Sequence, residues 1–333
     1  MHSNRLIRLA FFVAMLVVAP SSLPAIRPLP AAVDAAALQI TQRHEHGYVS
    51  VGNRFYLLGG RGIKPVDIFD PATDIWTKGA PTPVEMHHFQ AVVFDNKIYV
   101  VRAMTGAYPK EPPLSHVYIY DPAADAWSQG PEVPVDRRRG GAGAVLYNGE
   151  IYLVAGITNG HYDGHVAWTD AFNPRTGQWR QLPDAPRPRD HFHAAIIDDK
   201  IYAAAGRRSS AATGQTFQLT VPDVDVFNLE TKQWTTLPAA SHIPTQRAGA
   251  GAVVMNGKLI VLGGESGQPL AHDSVEELDP ATGRWTALQP LSMGRHATQA
   301  VLHNGRIYLA SGSRTRGATE VDTQEVYSPA PLR

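Results

Sequence analysis

Five copies of one seven-residue pattern run along this chain of 333 residues. They read Asp70-Pro-Ala-Thr-Asp-Ile-Trp76, Asp121-Pro-Ala-Ala-Asp-Ala-Trp127, Asn173-Pro-Arg-Thr-Gly-Gln-Trp179, Asn228-Leu-Glu-Thr-Lys-Gln-Trp234 and Asp279-Pro-Ala-Thr-Gly-Arg-Trp285. Successive Trp residues are 51, 52, 55 and 51 apart. A period of about fifty residues belongs to repeat architectures, in which each unit is one supersecondary element that buries its apolar face against its neighbours. Function in such a chain sits on a repeated scaffold, not in one linear catalytic motif.

A second landmark raises the count to six units. Apolar strand ends recur at Phe55-Tyr56, Ile98-Tyr99, Ile151-Tyr152, Ile201-Tyr202, Leu259-Ile260 and Ile307-Tyr308. Just before each lies a turn former: Asn53, Asn96, Gly149, Asp199, Gly257 or Gly305. Asn, Asp and Gly tolerate the positive φ of a tight hairpin, so each landmark marks the second strand of a hairpin. Four residues later comes a small residue, Gly60, Ala103, Gly156, Gly206, Gly264 or Gly312, where sheets converging on an axis leave no room for a side chain. A variable stretch, a third strand and the Asp-to-Trp turn follow, with the Trp opening a fourth strand that faces the next sheet. Each unit is expected to be a four-stranded antiparallel sheet.

These features resemble the kelch-repeat family over residues 34–329. The resemblance implies an all-β fold, a six-bladed β-propeller with four antiparallel strands per blade. Unit two departs from the family pattern with Arg102-Ala103 in place of Gly-Gly, and unit four lacks the Pro after Asn228. Unit six ends after its third strand, so residues 34–41 are expected to supply the fourth strand and close the ring, which removes an exposed sheet edge. Upstream, Arg5 and Arg8 precede an eleven-residue apolar run, Leu9 to Ala19, and a small, turn-rich stretch to Ala25. That layout reads as a signal peptide over 1–25, followed by a linker over 26–33 and, at the other end, a tail over 330–333. The expected location is periplasmic or secreted, with no membrane span in the mature chain, which is expected to be a monomer.

Composition removes several function classes. A formal net charge of zero argues against nucleic acid as a partner. Without cysteine there is no disulfide, no thiol nucleophile and no Cys-ligated zinc. It also removes the copper-radical cofactor of kelch-like oxidases, which needs a Cys cross-linked to a Tyr. No cofactor is expected.

Strand alternation places the long variable segments 104–115, 157–168 and 207–222 on one face, where a regular scaffold usually carries binding. Entering the first strand of each unit are Arg43, Met86, Arg139, Arg189, Arg247 and Arg295. Around a central opening such a ring suits carboxylates. The alternative gives most of these arginines a structural task, bonding loop carbonyls between blades. Arg61 and Arg207 at the exit of second strands, His88 and His191 in a cluster of histidines, and the out-of-register Trp168 complete the expected ligand-binding set. Glu265 and Asp190 are the candidate acid or base; the alternative for Glu265 is an ion pair with an Arg of a neighbouring blade. No metal is expected, since no HExxH-like element or dense carboxylate set accompanies the histidines. The expected function is a binding module for a glycan or a protein, with an anionic ligand. Its alternative is a cofactor-independent mutarotase or epimerase of an acidic sugar, on an architectural likeness to periplasmic sialic acid mutarotases.

Overall fold

The computed structural model describes residues 39–332, so the expected signal peptide and linker lie outside the described residues. Six antiparallel sheets follow in chain order, five with strands a to d in sequence and the sixth with strands a to c among the described residues. Blade one holds His46–Val51, Arg54–Gly59, Pro65–Asp70 and Ile75–Pro81. Blade two holds Val92–Phe94, Lys97–Val100, His116–Asp121 and Ala126–Glu132. Gly143–Tyr147, Glu150–Asn159, Asp163–Phe172 and Trp179–Leu182 form blade three. Blade four runs through Ala195–Ile197, Lys200–Ala203, Asp225–Asn228 and Gln233–Thr236. Blade five comprises Gly251–Met255, Lys258–Leu262, Val275–Asp279 and Arg284–Ala287, and blade six Ala300–His303, Arg306–Ala310 and Gln324–Tyr327. This is the six-bladed propeller that the repeat implied. Among the described residues no helix is long and apolar enough to cross a membrane.

The a–b hairpins turn in two residues. Both central residues have positive φ in Asp95-Asn96, Asn148-Gly149, Asn256-Gly257 and Asn304-Gly305, the geometry that matches the right-handed twist of the strands. Blade three departs from expectation at 157–168: this variable segment is the tip of a long b–c hairpin, pairing Asn159 with Asp163 and Gly156 with Val166.

The ring is closed at its axis by the backbone. At the entrance to each strand a stands one residue with φ between 52° and 62°: Glu45, His88, Gly141, His191, Gly249 and Ala297. The amide of each donates to the carbonyl of its counterpart in the preceding blade, at 2.6–2.9 Å, and Glu45 of blade one completes the circle onto Ala297 of blade six. Because only the backbone is used, these six axial positions accept any side chain that tolerates the left-handed region.

The arginine ring turns outward from this axis. Arg43, Arg139, Arg189, Arg247 and Arg295 are at most 2% exposed. Each reaches a strand-c carboxylate of its own blade: Asp67 at 2.6 Å, Asp170 at 2.6 Å, Asp225 at 2.5 Å, Glu276 at 2.6 Å and Glu325 at 3.4 Å. Each also donates to a main-chain carbonyl, those of Gly59, Trp168, Ala205, Val261 and Ser311 respectively. The ring is therefore a set of blade staples, and these five guanidinium groups present no free face to a ligand. Blade two lacks both halves: Met86 replaces the Arg and Tyr118 occupies the acid's register, each inside one apolar cluster.

Small residues at the exit of strand b are required by contact. A Cβ on Gly156 would sit 2.7 Å from the Gly140 carbonyl, and one on Gly312 2.7 Å from that of His296. The repeated Trp residues face the preceding blade and not the next. Indole N–H groups of Trp127, Trp179, Trp234 and Trp285 donate to Ala80, Glu132, Pro183 and Ser241 carbonyls at 2.8–3.3 Å. Each indole thus joins a local aromatic stack, such as Phe172–Trp179 with ring centroids 4.6 Å apart, to an inter-blade hydrogen bond.

Blade six shows three strands among the described residues. The strand expected from residues 34–41 lies partly outside the described residues, and Gln39 to Thr41 are not in strand conformation. Thr41 instead bonds Asp67 of blade one through its amide at 2.9 Å, and Ile40 is buried against Tyr48 and Tyr308. The tail runs along blade five, where the Gln289 amide donates to the Ala330 carbonyl at 2.8 Å.

Candidate functional site

Where the b–c and d–a connections converge, all six blades contribute to one axial cavity of about 780 Å³. That volume lies within the range of small-molecule sites. Its rim carries Tyr108, Phe217 and Arg316, and its wall Arg61, His161 and Glu265. The floor is Glu45, placed on the axis by the backbone ring. Below it the channel narrows to a void of about 20 Å³ lined by Glu45, His88, His191 and His193. Further along, Gln90 crosses the axis, accepting from the amides of Ala144 and Ala194 at 2.7 and 2.9 Å.

Around the cavity runs a chain of charged and imidazole groups. His44 Nδ1 contacts Glu320 at 2.7 Å, and its Nε2 accepts from Arg61 at 3.3 Å. Arg61 donates to Glu111 at 2.6 Å, and Glu111 also meets His161 Nδ1 at 3.0 Å. His161 Nε2 then faces His191 Nε2 at 3.1 Å, and His191 Nδ1 meets Asp190 at 2.5 Å. Ser209 joins Asp190 to Arg207, which donates to Glu265 at 2.5 Å; His296 stands 3.4 Å from the far oxygen of Glu265.

These partners decide the charge states. Burial opposes ionisation of Glu265, yet His296 and Arg207 bring its carboxyl down to about 2. Burial likewise works against Asp190, but His191, Arg207 and the Ser209 hydroxyl hold it below the usual carboxylate range. Glu111 is buried too, and the hydrogen bond from His161 with the charge of Arg61 keeps it well below that range. Burial depresses His88 strongly, with His87, His191 and His161 adding to the effect. His161 is also lowered by burial, against the pull of Glu111. The site thus pairs fixed carboxylate anions with neutral imidazoles at His88 and His161.

The expected residues separate into two groups. Arg61 and Glu265 line the cavity, with Arg207 buried behind Glu265 and beneath Phe217, 5.0 Å from its ring. His88 and His191 stand on the axial turn, and Asp190 orients His191 from behind. Arg43, Arg139, Arg189, Arg247 and Arg295 lie within the blades as described above. Trp168 lies away from the axis on strand c of blade three, under Arg137 at 4.6 Å, and does not line the cavity. As an ion pair with Arg207, Glu265 follows the alternative weighed for it; held ionised, it has no proton to give near neutral pH. Glu45, Glu111, His161, Phe217 and Arg316 were not singled out. One signal pointed to Glu45: in the aligned units its position reads Glu, His, Gly, His, Gly and Ala, a glycine-tolerant column interrupted by functional side chains.

The comparisons agree with the fold. The KLHDC2/KLHL20/DRC7 Kelch-repeats domain model matches residues 106–312. Kelch-like protein terF of Aspergillus terreus is 32% identical over 308 residues, covering 86% of this chain and 64% of that protein. Human Kelch-like protein 23 is 25% identical over 280 residues, covering 82% of this chain and 46% of its own length. A solved structure of YjhT superposes with a TM-score of 0.74 at 16% identity, covering 88% of this chain and 97% of that one. The chain belongs to the kelch-repeat family, a membership that suggests a protein-interaction module. It spans less than two thirds of the length of these two curated relatives.

Proposed function

We propose that this propeller is a binding module whose ligand enters the axial cavity, and that the ligand is an acidic sugar or the acidic end of a glycan. The observation that carries this reading is one axial cavity, open at its rim, that joins Glu265 to two arginines, Arg61 and Arg316. A broad, flat face would have favoured a folded protein partner. Two features supply the ligand class. Arg316 is exposed at the rim and can fork onto a carboxylate, which Arg geometry favours. Tyr108, 55% exposed, and Phe217 offer apolar rings beside polar groups, a mixture suited to hydroxylated rings. We also propose that capture takes place outside the cytoplasm, on the signal-peptide layout of residues 1–25; the N-terminal sequence of the exported chain tests this.

A thermal-shift screen of monosaccharides against sugar acids tests the ligand class. The expected result is a rise in melting temperature with sugar acids and none with their neutral counterparts. Equal response to both sets, or none to either, refutes the reading. For any hit, NMR of anomer exchange adds a second answer: acceleration by the protein makes it a mutarotase of that sugar, and an unchanged rate leaves capture alone.

A further inference from the structure

We propose that His88, His161, His191 and Glu45 form a binding site for a divalent first-row transition cation at the cavity floor. Three blades bring the imidazoles together. His88 and His191 occupy axial turn positions of blades two and four, and His161 sits at the tip of the blade-three hairpin. Their ring centroids are 4.6, 4.7 and 4.9 Å apart, and one donor atom from each lies within 4.8 Å of the other two.

The tautomers are set from outside. An ionised carboxylate only accepts hydrogen bonds, so Asp190 at 2.5 Å places a proton on Nδ1 of His191. Glu111 at 3.0 Å does the same for His161. With both Nδ1 atoms engaged outward, the two Nε2 atoms face each other at 3.1 Å. Imidazole nitrogens bind zinc at about 2.1 Å, so adjacent ligands on one ion stand about 3.0–3.4 Å apart. The separation found here fits that geometry.

Two further observations support the set. Nε2 of His88 is buried and has no hydrogen-bond partner among the described residues. The Glu45 carboxylate stands 3.6 Å from that atom and 4.0 Å from Nε2 of His191, close enough to complete the donor set with its charge. Carboxylates bonded to the outer nitrogen of ligating histidines are the usual second layer of such centres, fixing ring orientation and raising ligand basicity. Imidazole and carboxylate donors suit zinc, iron and their neighbours over calcium or magnesium. The other cluster on the axis, Glu45, Glu265 and His296, is less suited, because Arg207 already neutralises Glu265.

No metal was expected from the sequence, because no HExxH-like element or dense carboxylate set accompanies the histidines; the closed ring is what brings three blades' imidazoles to one point. The site rests on its own geometry and does not require the acidic-sugar reading. A cation there would add positive charge at the floor and would engage Glu45 as a ligand.

The test uses the full chain, stripped with a chelator, dialysed and free of sugar. Titration with cobalt(II), read by visible absorption, and with zinc(II), read by calorimetry, is expected to saturate at one ion per chain and to raise the melting temperature. His161→Ala is expected to abolish saturable binding while the circular dichroism spectrum stays that of the wild type. Asp190→Asn, which reaches the site through His191 while keeping the shape of its contacts with Ser209, is expected to weaken binding about 10- to 100-fold. Absence of one-to-one binding by the folded wild type overturns the proposal. So does binding that both variants leave unchanged.

Discussion

Replacing Arg247 with Met is predicted to be among the most damaging single changes in blade five. The guanidinium is fully buried and donates to Glu276 at 2.6 Å, to the Thr245 carbonyl at 2.6 Å and to the Val261 carbonyl at 3.0 Å. Its loss leaves Glu276, whose side chain is 6% exposed, without its countercharge. Breaking a buried ion pair from one side costs about 3–5 kcal/mol. The Thr245 amide and hydroxyl still donate to Glu276, at 3.1 and 2.6 Å, which places the loss near the lower end, about 3 kcal/mol. In a chain of this size each kcal/mol lowers the melting temperature by about 2 °C, giving a drop of about 6 °C. Blade two supplies the compensating design. Val84, Met86 and Tyr118 stand there where blade five has Thr245, Arg247 and Glu276. The triple variant Thr245→Val, Arg247→Met, Glu276→Tyr exchanges the whole polar set for an apolar one and is expected to fall within about 1–2 kcal/mol of wild type. Thermal melts and urea midpoints read both variants. The staple account fails if the single variant melts within about 1 °C of wild type, or if the triple is as damaged as the single.

Three smaller changes test other contacts. Gly263→Ala would bring a Cβ to 2.2 Å from the Arg295 carbonyl at a residue with φ of 63°, so a loss of at least about 2 kcal/mol in urea unfolding is expected. Trp285→Phe removes the N–H that bonds Ser241 of blade four at 2.8 Å, and calorimetric melting is expected to show a loss of about 1–3 kcal/mol. Ala297→Gly runs the other way: relief of a left-handed φ of 57° in the axial ring is expected to stabilise the chain by about 0.5–1 kcal/mol, read as a small rise in urea midpoint.

Legibility in the sequence followed physical origin. Hairpin turns, small residues and the Asp-to-Trp segment each answer a local demand, so their spacing yielded six blades and the strand order. The arginine column carried a weaker message. Its period placed Arg43 and its equivalents at the axis end of strand a, but no local rule says whether a side chain turns toward the opening or back into its own blade. The deciding partners, Asp67, Asp170, Asp225, Glu276 and Glu325, sit in register on strand c and are absent from the one unit that lacks the Arg. That joint absence is legible in the sequence as a paired substitution, Met86 with Tyr118. Trp168 falls out of register because the blade-three hairpin is lengthened, which sets it on strand c away from the cavity lining. His161 and Glu111 lie in the variable segments that repeat alignment discards, and only the closed ring sets them beside His191. The b–c face was legible because strand direction alone determines it; the side chains that meet there come from six units and share no local pattern.

The axial cavity is the proposed seat of function, with Arg316 and Phe217 at its rim and the staples outside it. Isothermal titration of a nine-carbon sugar acid into wild type, Arg316→Ala and Arg247→Met tests this most directly. The prediction is saturable binding to wild type, at least about tenfold weaker binding to Arg316→Ala for the loss of one charge-assisted contact, and unchanged affinity in folded Arg247→Met. Affinity that falls with Arg247→Met and holds with Arg316→Ala would contradict it.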